Sequence, residues 1–236
     1  MDLDGILDVL KAYHFGVITK KDALEALEGT SSLELLMAEV ELVAGGFRGS
    51  DIKKISKLYV DLVRGGSDRL LRELDEDHPI LIYIREHKIL ERNLIRLDML
   101  ASSLKKGMIG PELKNVDTIL RNLDQLNIHS LREENVLFPA IEERMTGEFA
   151  TRLRILIREH SDVRCMLDNL KELFQDPDKN RKDIVEEIHC LVYTLNHHKF
   201  IEDDMLYPLA ARQIDDWDLF KDRSDDIGYC EFLPLP

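Results

Sequence analysis

The sequence predicts an all-α protein, an up-down-up-down four-helix bundle preceded by a small helical domain. Three observations carry that prediction. Charged residues make up 33% of the chain and aromatic residues only 6%, and Leu, Ile, Glu, Lys and Arg dominate, a composition that favours helices. Beyond residue 79 only short segments with Gly, Pro or Asp interrupt the helical pattern, and short loops make successive helices antiparallel neighbours. A helical hairpin also occurs twice. IREH stands at Ile84–His87 and again at Ile157–His160. Each is followed by HxxxExxxL-aromatic-Pro, at His129–Pro139 (HSLREENVLFP) and His198–Pro208 (HKFIEDDMLYP), as expected of one supersecondary unit used twice. The 236 residues have room for one sizeable domain and a smaller one. The expected divisions are a helical module over 1–75, the bundle over 76–213, and a tail over 214–236 that packs back on a domain surface.

In the first division, Leu3, Ile6, Leu7, Val9 and Leu10 form one apolar stripe. A second helix runs from about Lys20 to Leu27 and stops at Gly29. Ser31 with Glu34 matches a capping box and opens a third, which ends at Gly45-Gly46. Ser50 caps a fourth, through Ile52, Ile55, Leu58, Val60 and Leu62 to Gly65-Gly66. Nothing catalytic converges here, and Tyr13 and His14 sit at a helix end without a partner pattern. The segment reads as a packing or interaction module.

The boundary is Asp75–Pro79, DEDHP, whose acids suit a helix start and whose proline suits the first turn. The first bundle helix runs from about 79 to 105 and carries His87. A turn with Gly107 and Gly110 follows. The second, from about 112 to 145, carries His129 and Glu133, and Pro139 is expected to end or kink it. The third, from about 148 to 174, carries His160, and Asp176-Pro177-Asp178 breaks the chain after it. The fourth, from about 181 to 212, carries His198 and Glu202, with Pro208 near its end. From Trp217 the chain is acidic and then apolar, through Ile227, Tyr229, Phe232, Leu233 and Leu235.

Residues i and i+4 share a helix face one turn apart, so each HxxxE presents an imidazole beside a carboxylate. The bundle can bring His87, His129, Glu133, His160, His198 and Glu202 to one level. Four terminal imidazoles and two bridging carboxylates suffice for two metals, with an oxo or hydroxo bridge completing five-coordination. Mixed nitrogen and oxygen donors suit iron, or manganese, better than a thiophilic ion, and a structural zinc would want a closed, sulfur-rich set. Rivals are weaker. His78 and His189 each lie nine residues before a chosen histidine, on the opposite face, and His197 points about 100° away from His198. Glu91 follows His87 by four but lacks the Leu-aromatic-Pro tail. Asp203, at +5 from His198, is the nearest rival to Glu202. Arg85, Glu86, Arg158 and Glu159 read as solvated. Tyr83, one turn before His87, reads as a core tyrosine that could also hydrogen-bond a metal-bound ligand.

A net charge of −14 argues against a nucleic-acid partner, which would need clustered Lys and Arg, and against an anionic membrane surface. The three cysteines, Cys165, Cys190 and Cys230, are odd in number and form no CxxC, which suits free thiols in a reducing compartment. Cys165 and Cys190 read as core residues. No apolar run approaches the roughly 18 residues of a membrane span, and MDLDGILDVL lacks the basic start of a signal peptide. The expectation is a soluble cytoplasmic protein.

The segments EHKIL, HSLREENVLFP, EHSDVR and HKFIEDDMLYP resemble, in order, the hemerythrin-like cation-binding (HHE) domain over roughly Asp77 to Arg212. The resemblance implies a four-helix bundle holding a non-haem di-iron centre. His87, His129, His160 and His198 would be terminal ligands, and Glu133 and Glu202 would bridge. The first and last parts also resemble the helical module and the IGYC-containing tail (Ile227 to Cys230) that flank such domains in some prokaryotic proteins. Oxygen-carrying members have a fifth histidine one turn after the third-helix ligand, where this chain has Arg164. The site is more similar to the four-His, two-Glu version of di-iron proteins that repair iron–sulfur clusters under nitrosative stress. Those usually carry a Cys-bearing N-terminal module, whereas the first cysteine here is Cys165. The leading expectation is a di-iron protein that binds or senses oxygen, nitric oxide or peroxide, with the N-terminal module docking a protein partner. The alternative is cluster repair, iron delivery, or oxidase or peroxidase chemistry. Arg164 is expected either to occupy the space left by the fifth histidine or to point to solvent.

Overall fold

The computed structural model describes residues 1–48, 51–52, 54–55, 57–58, 73–107, 113, 115–144 and 147–235, without the side chains of 32, 33, 36 and 147–152. No strand occurs among the described residues. The backbone groups into two compact units. One joins Met1–Glu76 with Ile141–Leu153 and Phe200–Ile214. The other joins Asp77–Ala140, Arg154–Lys199 and Asp215–Pro236.

In the first unit, α1 (Leu3–His14), α2 (Lys20–Ala26) and α3 (Ser32–Ala44) each begin on a side-chain cap. Asp2 caps α1, and capping boxes at Thr19/Asp22 and Ser31/Glu34 open α2 and α3. Each cap satisfies N–H groups that the first helical turn leaves unpaired. Ile6 and Leu10 bury the apolar stripe of α1. His14 Nε2 lies 3.7 Å from Asp51, and Lys54 Nζ donates to the His14 carbonyl at 2.8 Å, partners that local sequence did not indicate. The expected fourth helix, from Ser50 to Gly65-Gly66, falls mostly outside the described residues.

A four-helix bundle spans the repeat. Its first helix is α4 (Pro79–Lys105), with Pro79 in the first turn and His78 as cap, its Nδ1 accepting from Ile80 N–H at 3.2 Å. The second is segmented into α5 (Val116–Asp124), α6 (Leu126–Arg132), a π-helical turn π1 (Glu133–Leu137) and α7 (Phe138–Glu142). The third is α8 (Gly147–Leu173). The fourth runs unbroken through α9 (Arg181–Ile201), the π turn π2 (Glu202–Leu206) and α10 (Tyr207–Gln213). Leu94, Leu97, Leu100, Leu123, Leu170, Ile188 and Leu191 are among its core, and Cys165 and Cys190 lie on exposed helix faces instead of in the core.

The two π turns correct the expectation of a stop or kink at Pro139. A proline lacks the N–H that an α-helix would direct at the carbonyl four residues back, and its ring crowds that carbonyl. Here the turn before each proline widens. Phe138 N–H reaches the Glu133 carbonyl, and Tyr207 N–H reaches the Glu202 carbonyl, each five residues back. The helix therefore continues past Pro139 and Pro208 with one extra residue accommodated. Both wide turns begin on the carboxylate of the HxxxE pair.

The tail holds a helix that the sequence reading missed. α11 (Trp217–Ile227) starts on Asp216, which accepts from Leu219 N–H at 3.2 Å, and ends at Gly228, whose φ of +94° favours glycine. Its apolar residues are sparse and its acids many, so periodicity was a weak signal.

Candidate metal centre

Helix phase carries the four imidazoles inward. His87 on α4 and His129 on α6 bring their Nε2 atoms to 3.1 Å. His160 on α8 and His198 on α9 do the same at 3.0 Å. Two nitrogens bound at about 2.1 Å to one metal at right angles stand about 3 Å apart, so each pair has the spacing of two ligands on one ion. Glu133 Oε2 lies 3.5 Å from His129 Nε2 and 3.3 Å from His160 Nε2. That carboxylate reaches both pairs, as a bridge must. The ligand atoms of Glu133, His160 and His198 lie within 4.8 Å of one another. Glu202 is fully buried and stands four residues after His198 in the same helical run. Asp203, its rival, is half-buried.

Carboxylates hold the His129, His160 and His198 rings from behind. His129 Nδ1 is 2.7 Å from Glu86, His160 Nδ1 is 2.8 Å from Glu134, and His198 Nδ1 is 2.9 Å from Glu159. A carboxylate accepts, so each Nδ1 donates, which leaves Nε2 with its lone pair facing inward. Glu86 and Glu159 were expected to be solvated. Glu86 is instead buried, and Glu159 is turned toward His198. The signal was present, because both precede the histidine of IREH and recur with it. In a regular α-helix Glu134 would point about 100° away from Glu133. A wide turn holds more residues and so separates neighbours by less, which lets Glu133 and Glu134 both face α8.

The charges fit these roles. Burial alone would raise the Glu86 carboxyl, but the His129 hydrogen bond and the Arg132 charge outweigh it and hold the group at about 2. The His160 hydrogen bond lowers Glu134 against the pull of partial burial. Arg132 is fully buried, donates to Glu86, and lies 4.8 Å from the centroids of both Tyr83 and Tyr229. Tyr83 packs edge-on to His129 at 5.2 Å, and burial pushes its hydroxyl well above the ordinary range.

The remaining candidates fall outside the group. His78 caps α4 and lies 4.4 Å from the Trp217 ring. His189 is exposed, 3.9 Å from Asp98, and Glu91 is an exposed partner of Lys199 at 3.7 Å. Of the two placements expected for Arg164, the side chain takes the outward one. It is 39% exposed, donates to Ser161 at 3.0 Å and lies 3.8 Å from Glu134. The ring that covers His160 is Phe138, stacked at 6.0 Å and 12°. The motif aromatic thus serves the site, a role its spacing did not announce.

A buried set of imidazoles paired through Nε2, a carboxylate reaching both pairs, and outer carboxylates fixing the tautomers define a helical di-iron protein. Residues 78–210 match the family model of the hemerythrin HHE cation-binding domain. That match covers more than half of the chain, which belongs to this family. The chain is similar to the iron-sulfur cluster repair protein YtfE of Dickeya chrysanthemi, 26% identical over 141 residues, 57% of this chain and 64% of that protein. The proteins of the same name from Musicola paradisiaca and Yersinia pestis are 28% identical over 96 residues, 38% of this chain and 43% of theirs. The chain thus spans less than two thirds of the length of these relatives. No solved structure matches it. No helix among the described residues is long and apolar enough to cross a membrane.

Proposed function

We propose that this protein is a di-iron protein of iron–sulfur cluster repair, which holds two irons and supplies iron to damaged clusters. His87, His129, His160 and His198 are the terminal ligands, and Glu133 and Glu202 the bridging ones. The observation that carries the reading is the ligand set at the third helix. The position one turn after His160 is Arg164, which points to the surface beside Glu134 and adds no donor to the metal. A site without a fifth imidazole leaves an open position on each metal, which suits exchange of iron or of a small ligand better than reversible carriage. The similar proteins bear a repair name, which favours repair over the sensing of oxygen or nitric oxide that the sequence put first. When bound, the irons supply the redox and ligand-exchange chemistry. The chain supplies buried, neutral imidazoles with fixed tautomers and a dry wall from Phe138 and Tyr83.

The test is anaerobic transfer. Di-ferrous protein is mixed with a [4Fe–4S] dehydratase inactivated by nitric oxide, and dehydratase activity is followed. The expected result is reactivation faster than with the same amount of free ferrous iron. Reactivation no faster than with free iron overturns the proposal.

A further inference from the structure

The two hairpins repeat, but their surroundings differ at two matched positions. Three residues after the histidine of HxxxE stands Arg132 in one copy and Ile201 in the other. Four before the histidine of IREH stands Tyr83 in one and Leu156 in the other. All four side chains are buried. The first hairpin therefore places a fully buried guanidinium behind its ligand pair, as part of a closed network, whereas the Arg164 guanidinium beside Glu134 is 39% exposed.

Glu86 is its centre. One oxygen accepts from His129 Nδ1 at 2.7 Å and from Arg132 Nη2. The other accepts from the backbone N–H of Cys230 at 3.2 Å. Both carboxylate oxygens are thus held, from the second bundle helix and from the C-terminal tail. The tail is itself fastened along that helix. Cys230 Sγ donates to the Gln125 carbonyl at 3.2 Å, Glu231 N–H to Gln125 Oε1 at 2.9 Å, and Leu233 N–H to Asn122 Oδ1 at 2.7 Å. Tyr229 closes the far side of Arg132. The carboxylates behind the rings of the other hairpin, Glu159 of its own and Glu134 of the first, reach water. The Glu159 and Glu134 side chains are 19% and 21% exposed, against 8% for Glu86.

We propose that Arg132, Glu86 and the tail from Gly228 to Leu233 form a lock that makes the two metal positions unequal. The position held by His87 and His129 retains its metal. The position held by His160 and His198 is the exchangeable one. A metal leaves when a ligand ring turns away and water takes its place. Turning His129 breaks a charge-assisted bond to a carboxylate that cannot follow it and leaves Glu86 buried with one partner fewer. Turning His160 or His198 leaves a carboxylate that water already reaches. Outer partners of ligating histidines typically change metal affinity 10–100-fold. Arg132 and Glu86 are positioning residues in this scheme. It rests on the di-iron centre and holds whether or not the iron is passed to clusters.

The experiment is iron release from the full di-ferrous chain into excess bipyridine, followed by absorbance, with Mössbauer spectra before and after the first phase. The expected trace has two phases of one iron each, separated by about tenfold or more, and the spectrum loses one of two ferrous signals. Arg132→Met should speed the slow phase and leave the fast one unchanged, and Arg132→Lys should restore part of the difference. Removal of residues 228–236, with the helical circular dichroism checked to be unchanged, tests the same lock and should also speed only the slow phase. Glu159→Gln should speed only the fast phase. A single phase for both irons in the wild type overturns the proposal. So does an equal effect of the truncation on both phases, or no effect on either.

Discussion

At the scale of single residues, burial decides what each polar group can do. A buried carboxylate needs donors to remain charged, and Glu86 has three, from His129, Arg132 and Cys230. Removing a partner of a buried charge costs about 3–5 kcal/mol, whereas an exposed pair is worth about 0–1 kcal/mol. In urea unfolding of iron-free protein, Arg132→Ala should therefore lose about 3–5 kcal/mol and Arg164→Ala less than about 1 kcal/mol. Similar losses for the two would mean that the Arg132 network contributes no more than a surface pair. The same logic sorts the histidines. His129→Ala and His198→Ala should each lose most of the bound iron, measured per chain after desalting. His189→Ala should keep it. His78→Ala should keep it too, while costing about 1 kcal/mol as a lost helix cap. Iron loss from His78→Ala equal to that from His87→Ala would contradict the assignment.

At the scale of elements, the wide turn is the device that converts a helix into a ligand platform. π1 begins at Glu133 and directs it and Glu134 toward the same neighbouring helix, at His160 Nε2 and Nδ1. Asn135 is exposed within that turn. Deleting it should return the turn to α-helix, since π turns hold one residue more than the α register needs. The far-ultraviolet circular dichroism should stay helical, while iron content should fall. Full iron content in the deletion variant would show that the wide turn does not aim Glu133. In the first unit, α3 packs against π2, the second wide turn, so the N-terminal module touches the element that begins at Glu202.

At the scale of the whole molecule, folding and metal binding are coupled. His87, His129, His160, His198, Glu133 and Glu202 are all buried, and bound metals would offset the cost of desolvating them. Binding to the folded state alone adds RT ln(1 + [L]/Kd), about 4 kcal/mol per site at a thousandfold excess over Kd. The iron-loaded protein should therefore melt well above the iron-free protein, and elemental analysis should give two irons per chain. Equal melting temperatures at saturating iron, or one tightly held zinc and no second metal, would contradict the coupling.

The sequence by itself determined the helices of the bundle, their order and the inward face. These follow from periodicities that one chain segment carries alone, and from a repeat visible as IREH and HxxxE printed twice. The spacing i, i+4 chose Glu133 and Glu202 because helix geometry is local. What only tertiary structure decided depends on neighbours far along the chain. Glu86 and Glu159 look like surface acids until the second and fourth helices set His129 and His198 against them. Arg164 looks able to fill a gap until the helix rotation turns it outward. Arg132 looks like one more charge until α4 and the tail close over it. Burial and long-range pairing set these roles, and neither is written in any single stretch of sequence.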